Sequence, residues 1–587
     1  MASLGLNPEP EPDRYEGKVD APPPKPGEEE LWEWLEMLAI ESERVRQTEA
    51  QFNMFDKYMD MYYGKHWPDT MPSFRPPVVV NELRTLILSE ASDLSENNLR
   101  LYVQKDPRAG GRDEEVERAI RAIWAREQVD LKILYAACWA LIIGTGFLRV
   151  QWDPDGFHGM GDVIVDDVDP RYVLPDADAM DDKKWAYVII ENTLDIDEIR
   201  RLFPISGQRV RPEDRWSVRD KGVSNTSPEG ISWASYKGPL SDTSLVGKSI
   251  QGYKKARARV LDCFVQDYKW ETSVDAEVDD NGVPVNDEKG NPKLIETRKA
   301  LYPNGRRIIG ANGVILFDGP NPNPNGDFGL LRVILEPALG RFWSSGFVQQ
   351  TMELQLAADK LASAVAENAI RLNNGMVVAS SNTGIDWESF TGMPGQIVTI
   401  NQGSQFDIKY PSAMPADMVQ APWRMLDMQR RLLGFPDSRA GQSGRGNTSA
   451  DLTETEISQA QGPTRLRGRM LYYTVQRLAE MIFARMANGY LTERTIPAVE
   501  GEAFKPVTWK PLPDPKKYHV YLDPASFQIM SRTMLKRLGM ALYKLKAIDR
   551  KSLLEAISWP NADAVATRLA EAEKMAAMAK MQSKRGK

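Results

Sequence analysis

The chain has 587 residues, of which 42% are hydrophobic and 27% charged, values ordinary for a globular protein and unlike those of a disordered or collagenous chain. One core cannot fill that length, so about two to four structural units are expected. The formal net charge of −8 argues against tight sequence-independent grip on nucleic acid, which needs lysines and arginines to displace counterions from phosphates, yet suits a wall past which nucleic acid slides. Apolar runs fall short of a bilayer's thickness, and Met1-Ala2-Ser3-Leu4-Gly5 lacks the basic and apolar regions of a signal peptide. Cys138 and Cys263 sit far apart in apolar contexts and read as free thiols. His66, His158 and His519 have no partners at ligand spacing, so neither a His-based metal site nor a Ser/His/Asp triad is indicated.

In chain order, residues 1–27 are rich in Pro, Glu and Gly and read as a disordered arm. A helical pattern runs from Glu28 to about Tyr63 through Leu31, Trp32, Leu35 and Leu38, then Phe52, Phe55, Tyr58 and Met61. It ends in the aromatic stop Tyr62-Tyr63-Gly64-Lys65-His66-Trp67-Pro68. Helices are expected over Asn81–Asn97, Asp113–Arg126 and Asp130–Ile143, with a strand at Leu99–Val103 and another at Phe147–Trp152 after Gly144-Thr145-Gly146. That Gly-x-Gly does not make a dinucleotide loop: a third glycine is missing, and the order is helix then strand. Residues 205–255 form a polar insertion. Strands follow at Arg259–Tyr268, Arg306–Gly310 and Val314–Asp318, with Asn-Gly turns that point to antiparallel sheet.

The stretch from Gly346 to about Ala450 organises the rest. Phe347–Asn373 contains no Pro or Gly, and Leu354, Ala358, Leu361, Val365, Ala369 and Leu372 recur every three or four positions, so a helix about 40 Å long carries a narrow apolar stripe. Six alanines between Ala357 and Ala369 thin its surface and permit close approach of another helix. Asn373-Asn374-Gly375 stops it, and short strands are expected at Met376–Val378 and Gln396–Ile400 around turns. A second helix after Pro415 shows Met418, Trp423, Leu426 and Leu433. The loop beyond Gly434-Phe435-Pro436 holds Arg439, Gly441, Gly444, Arg445 and Gly446 and no large apolar residue between Asp437 and Asn447. A long helix follows from Ala450 to about Asn488, kinked at Gly462-Pro463. Its later half bears Arg465, Arg467, Arg469, Arg477 and Arg485, a basic face open to solvent, to neighbouring subunits or to DNA. Helices from Asp523 to about Leu545, from Asp549 to Ile557 and after Asn561 complete the chain.

Two features touch on catalysis. The acidic clusters Asp166, Asp167, Asp169 and Asp176, Asp178, Asp181, Asp182 offer oxygen ligands for Mg²⁺, but they flank Pro170 and Pro175 in turns, where Asp serves local hydrogen bonding. Asp242–Ser249 nearly matches a phosphate loop, yet Asp242 replaces its first glycine and would repel phosphate. Neither supports a catalytic, cofactor or metal site. A ring-forming DNA-processing enzyme, an Mg-dependent nuclease or an ATPase, is the competing reading.

Taken together, the ordered set resembles the portal proteins of tailed bacteriophages, in particular podovirus-like portals. The likeness is carried by Tyr62–Trp67, Leu141–Asp153, Asp169–Asp176, Leu301-Tyr302-Pro303-Asn304-Gly305-Arg306 and Asp523–Ser526, and spans about residues 50–570. It implies an α+β, ring-forming portal fold: a mixed α/β wing (28–345), a stem helix (346–374), a small β-containing clip (375–410), a second stem helix (411–433) and a tunnel loop (434–450). A long wing helix with its return (451–520) and an α-helical crown with the C-terminal helix (521–587) follow. The family forms a ring of about twelve copies at one capsid vertex of the virion, assembled in the host cytoplasm. It conducts double-stranded DNA weakly and without sequence preference, and it meets the terminase large subunit, the major capsid and scaffold proteins and head-tail adaptors, with no membrane and no cofactor. By that resemblance Arg439, Gln442, Ser443, Arg445 and Asn447 face the DNA channel. Val377, Asp386, Trp387, Glu388, Gln396 and Lys409 form the docking surface, and Leu354, Ala358, Leu361, Val365 and Leu372 pack the stem.

Overall fold

A computed structural model describes residues 27–50, 52–67, 77–95, 101–105, 111–212, 257–266, 270–276, 294–373, 376–388, 397–409, 414–435, 461–497, 499–500, 503–504, 506–522, 539–545 and 547–556, with 565, 567–569, 571–572 and 575. The expected arm, the polar insertion beyond 212, the tunnel loop and much of the crown lie outside these.

The first helical pattern divides. Helix α1 (Glu28–Glu49) stops at Ala50, and after a 3₁₀ turn α2 (Phe55–Tyr63) begins, so the two apolar sets serve different cores rather than one continuous helix. Leu35, Leu38 and Ala39 of α1 bury against the large sheet, whereas Phe55, Tyr58 and Met61 of α2 join the main core. Next come α3 (Glu82–Ser95), strand β1 (Leu101–Lys105), α4 (Glu114–Arg126) and α5 (Val129–Ile143). Asp113 caps α4 by accepting from the Val116 N–H at 3.2 Å, and Glu114, Glu115 and Glu117 fill its first turn, where the macrodipole favours them.

The strands that follow build two antiparallel sheets. β2 (Gly146–Asp153), β3 (Asp162–Val168) and β11 (Leu330–Val333) form a three-stranded sheet in the order β11-β2-β3. Between them in sequence, β4 (Val173–Pro175), β5 (Tyr187–Asp195), helix α6 (Ile196–Leu202), β6 (Arg257–Val265), the separate hairpin β7–β8 (Trp270–Ala276, Leu294–Ala300), β9 (Arg306–Ala311) and β10 (Val314–Pro320) run on. Of these, the strands ordered β10-β9-β6-β5-β4 make a five-stranded sheet. Its alternation is read on both faces. Ile189, Leu261, Cys263 and Ile308 meet α1, while Val188, Ile190 and Phe264 meet Phe147, Leu330, Phe342 and Trp343. Cys263 is buried, Cys138 half-buried, and both thiols are free.

The long helix expected at 347–373 is α7 (Phe347–Asn373). Beyond it, β12 (Met376–Ala379) pairs antiparallel with β13 (Phe406–Lys409). The strand expected at Gln396–Ile400 is corrected by this register: Gln396 lies outside the described residues, and 397–400 belongs to no sheet among them. Helix α8 (Ala416–Leu433) returns along α7, and α9 (Gly462–Gly489) then crosses the main core. Gly462 and Pro463 open α9, so within the described residues the proline occupies the first turn, where its missing N–H costs nothing, and does not kink a helix interior. Strands β14 (Arg494–Ile496) and β15 (Val507–Trp509) pair with each other. β16 (Tyr518–Leu522) pairs with β1 across the chain, and α10 (Arg550–Ala556) follows near the end of the described part.

Candidate functional site

The helix pair α7–α8 is seated by polar groups that an apolar count passes over. On α7, Gln355, Asp359 and Ser363 recur every fourth position on one face and are buried. They hold residues 78–80 against the helix: Val80 N–H donates to Asp359 Oδ1 at 2.9 Å, Val78 N–H to Ser363 Oγ at 3.0 Å, and Gln355 Nε2 to the Val80 carbonyl at 2.6 Å. His66, from the aromatic stop after α2, completes the seat. Its Nδ1 meets Asp359 Oδ2, and its Nε2 lies 2.9 Å from the Met61 carbonyl. Burial works against the imidazolium, but Asp359 and the Met61 carbonyl together outweigh it and hold the His66 pKa above the ordinary value.

The expected stem stripe is only partly inward. Ala358 is buried, whereas Leu354, Leu361, Val365 and Leu372 are half-buried. On α8 the side toward α7 is Pro422, Leu426, Gln429 and Leu433, with Gln429 Nε2 donating to Thr351 Oγ1 at 3.3 Å. Pro422 thus sits inside the helix and buried. Met418 and Trp423, read in sequence with the buried pattern, are instead 54% and 61% exposed. A second register explains Met418: Met418, Ala421, Met425, Met428 and Leu432 follow at alternating steps of three and four, and form a seam on another side of α8. Sequence reading missed it because the two apolar registers overlap in 18 residues.

At the tip, Val377 is half-buried opposite Ile408, and Lys409 is exposed opposite Met376. Asp386 and Glu388 are exposed, with Asp386 Oδ1 accepting from the Glu388 N–H at 3.1 Å, and Trp387 is 51% exposed. Val377 and Lys409 thus share one two-stranded ribbon, Asp386, Trp387 and Glu388 follow in the segment between its strands, and Gln396 lies outside the described residues. The channel candidates Arg439, Gln442, Ser443, Arg445 and Asn447 lie outside the described residues.

The basic face expected on α9 is largely spent inside the chain. Arg467 is buried and donates to Glu336 at 2.8 Å and to Glu90 at 3.2 Å, Arg477 reaches Asp182 at 2.6 Å, and Arg485 reaches Asp327 at 2.8 Å. Arg465 and Arg469 are exposed. Between the sheets, Asp262 is fully buried and accepts from Arg307 at 2.8 Å and Arg149 at 3.0 Å. Burial alone would raise its pKa, but Arg307 and then Arg149 pull it below the usual carboxylate value. A cavity of about 340 Å³ beside them is lined by Trp152, Phe317, Phe328 and these arginines.

The acidic clusters have local work. Asp169 accepts from the Arg171 N–H at 2.9 Å, Asp176 from the Asp178 and Ala186 N–H groups at 3.1 and 2.8 Å, and Asp182 from Arg477. Among the described residues no three His, Cys, Asp or Glu side chains are grouped so as to hold a metal ion. The near-miss phosphate loop at Asp242–Ser249 lies outside them. No described helix is long and apolar enough to cross a membrane.

No curated protein matches the chain. A family model described as Phage P22-like portal protein matches residues 39–586, which takes in the α2 stop with His66, both sheets, the α7–α8 pair, the β12–β13 ribbon and α9. A match running through every one of these parts, over nearly the whole chain, leaves one assignment: the chain belongs to the phage P22-like portal protein family and is a bacteriophage portal protein, a head-tail connector of the virion that serves DNA packaging.

Proposed function

We propose that the chain is one subunit of a closed ring of about twelve copies, in which α7 and α8 form the stem wall, residues 376–409 the docking tip, and 434–450 a loop reaching toward the DNA. The ring stands at a single capsid vertex among the major capsid and scaffold proteins, after assembly in the host cytoplasm. Its tip receives the terminase large subunit during packaging and head-tail adaptors afterwards. The conduction is read as non-enzymatic, and a total of −8 per copy gives an acidic ring that opposes adhesion of duplex.

The observation that supports ring closure best is the seam on α8. Met418, Met428 and Leu432 are 54%, 53% and 62% exposed, with Ala421 and Met425 half-buried between them, on a helix whose other apolar side is already covered by α7. A continuous exposed apolar stripe of this kind marks an interface. A second copy presents the thin, alanine-rich outer side of α7, which lets helices approach closely.

The experiment is native mass measurement and end-on electron microscopy of purified protein, wild type against Met425→Lys with Met428→Lys. The wild type is expected as rings with a bore and the variant as folded monomer with an unchanged melting temperature. Rings that persist in the variant exclude the seam as the closing contact; a wild type that is monomeric at all concentrations removes the ring itself.

A further inference from the structure

The cavity of about 340 Å³ between the sheets has a wall whose charged side chains are all cations. Arg149 of β2, Arg307 of β9 and Arg485 of α9 line it, and among the described residues no Asp or Glu does. The three are 7%, 1% and 2% exposed. Their acids stand behind the wall. Asp262 accepts from Arg149 and Arg307, and Asp327 from Arg485, whose Nε is buried without a hydrogen-bond partner among the described residues. Trp152, Phe317 and Phe328 supply the apolar part of the lining. Gly329 has φ +73°, and a Cβ there would lie 3.0 Å from Asn323 Nδ2 and 3.5 Å from Arg485 Nη2, so the glycine keeps two donors clear. Three guanidiniums are costly to bury, and a tie between sheets made only of ion pairs would be packed shut at the density of protein interiors. Here the cations surround a void instead.

We propose that this cavity binds a small phosphate monoester carrying one flat ring, the chemistry of a nucleoside monophosphate. Charge selects the phosphate: three guanidiniums answer a dianion better than a single carboxylate, and the planar fork of arginine matches phosphate oxygens two at a time. Arg485 Nε brings a donor with no other duty among the described residues. The C-terminal end of α9 stands at the same wall and opposes an anion, but its partial charge is small beside three full ones. The rings select the rest of the ligand, since a base or aryl group stacks on Trp152, Phe317 or Phe328, where a bare phosphate gains nothing. Size sets the limit: the volume is at the lower end for ligand pockets, enough for one ring and one charged group and too small for a nucleic-acid strand. Once bound, the phosphate joins β2, β9 and α9 through their arginines, so the ligand stabilises the packing of the sheets against α9. None of this depends on ring closure.

The test is calorimetric titration of the purified full-length chain with adenosine monophosphate, phenyl phosphate, inorganic phosphate and adenosine. One of the two monoesters is expected to bind about tenfold or more tightly than inorganic phosphate and than adenosine, and to raise the melting temperature. The tighter of the two tells a nucleotide from a simpler aryl phosphate. Asn488 lines the cavity and is exposed, which places it at the mouth. Asn488→Glu sets a carboxylate there, and is expected to leave the melting temperature of the free protein unchanged while weakening binding about tenfold. Asn488→Gln is expected to bind as the wild type does. Inorganic phosphate or adenosine binding as tightly as the monoesters, no binding by any of the four, or undiminished binding to Asn488→Glu each overturns the proposal.

Discussion

His66 has both ring nitrogens against acceptors, Asp359 on one side and the Met61 carbonyl on the other, and two acceptors require a ring that donates twice, an imidazolium. The groups packed around it agree: Asp359 also accepts from the Val80 N–H and from Gln355, and among the described residues no arginine or lysine bonds to it. Because the folded pKa is raised, the stabilisation is complete below the unfolded value of about 6.5 and is lost as pH climbs through the folded one. His66→Leu, which strands the buried Asp359, is therefore expected to cost about 3 kcal/mol near pH 6 and clearly less near pH 9 in denaturant unfolding. A cost that stays flat with pH would mean a neutral ring. The arginines of α9 teach the converse lesson. Three cations that look available in the sequence are tied to Glu90, Glu336, Asp182 and Asp327, so their charge does not reach solvent as a field for DNA.

At the level of elements, Gly144-Thr145-Gly146 marks a close crossing. Gly144 ends α5 with φ +106°, and a Cβ there would lie 1.9 Å from the Ser344 carbonyl oxygen. A Cβ on Gly146 would lie 2.1 Å from that of Ala136. Backbone on both sides cannot give way, so Gly146→Ala should lose about 3 kcal/mol, at the upper end for overpacking, and lower the melting temperature accordingly. An unchanged melting curve would show that α5 and β2 have room to part. Elements of this local kind were legible in the sequence: α7 has the expected bounds because nothing interrupts its period, and α4 starts where Asp113 offers a cap. Pairings set by distant partners were not. Phe406-Asp407-Ile408-Lys409 is a poorer strand former than Ile397–Ile400, yet it is the one joined to β12, because register depends on the Ser380–Gln405 and Thr383–Asn401 contacts rather than propensity. β1 finds its partner in β16, at the other end of the chain. The stem's polar seat was hidden for another reason: apolar periodicity does not register Gln355, Asp359 and Ser363, although they share a face.

For the whole molecule, charge decides what the proposed ring does with DNA. With three of α9's five arginines paired within the chain and an acidic total, the proposed contacts with a duplex fall to Arg439 and Arg445, which lie outside the described residues. Arg439→Glu with Arg445→Glu is expected to leave ring assembly intact and to shorten or destabilise the packaged genome, read as DNA length per particle; full-length genomes in the double variant would take the loop out of DNA handling. A last consequence comes from Pro422. Having no N–H, it cannot donate to the Met418 carbonyl one turn back, so α8 lacks a rung at that height. In the proposed ring, rotation lines up the missing rungs as a belt around the stem, a circumferential soft joint at which the collar dilates or tightens while the parts on either side keep their shape.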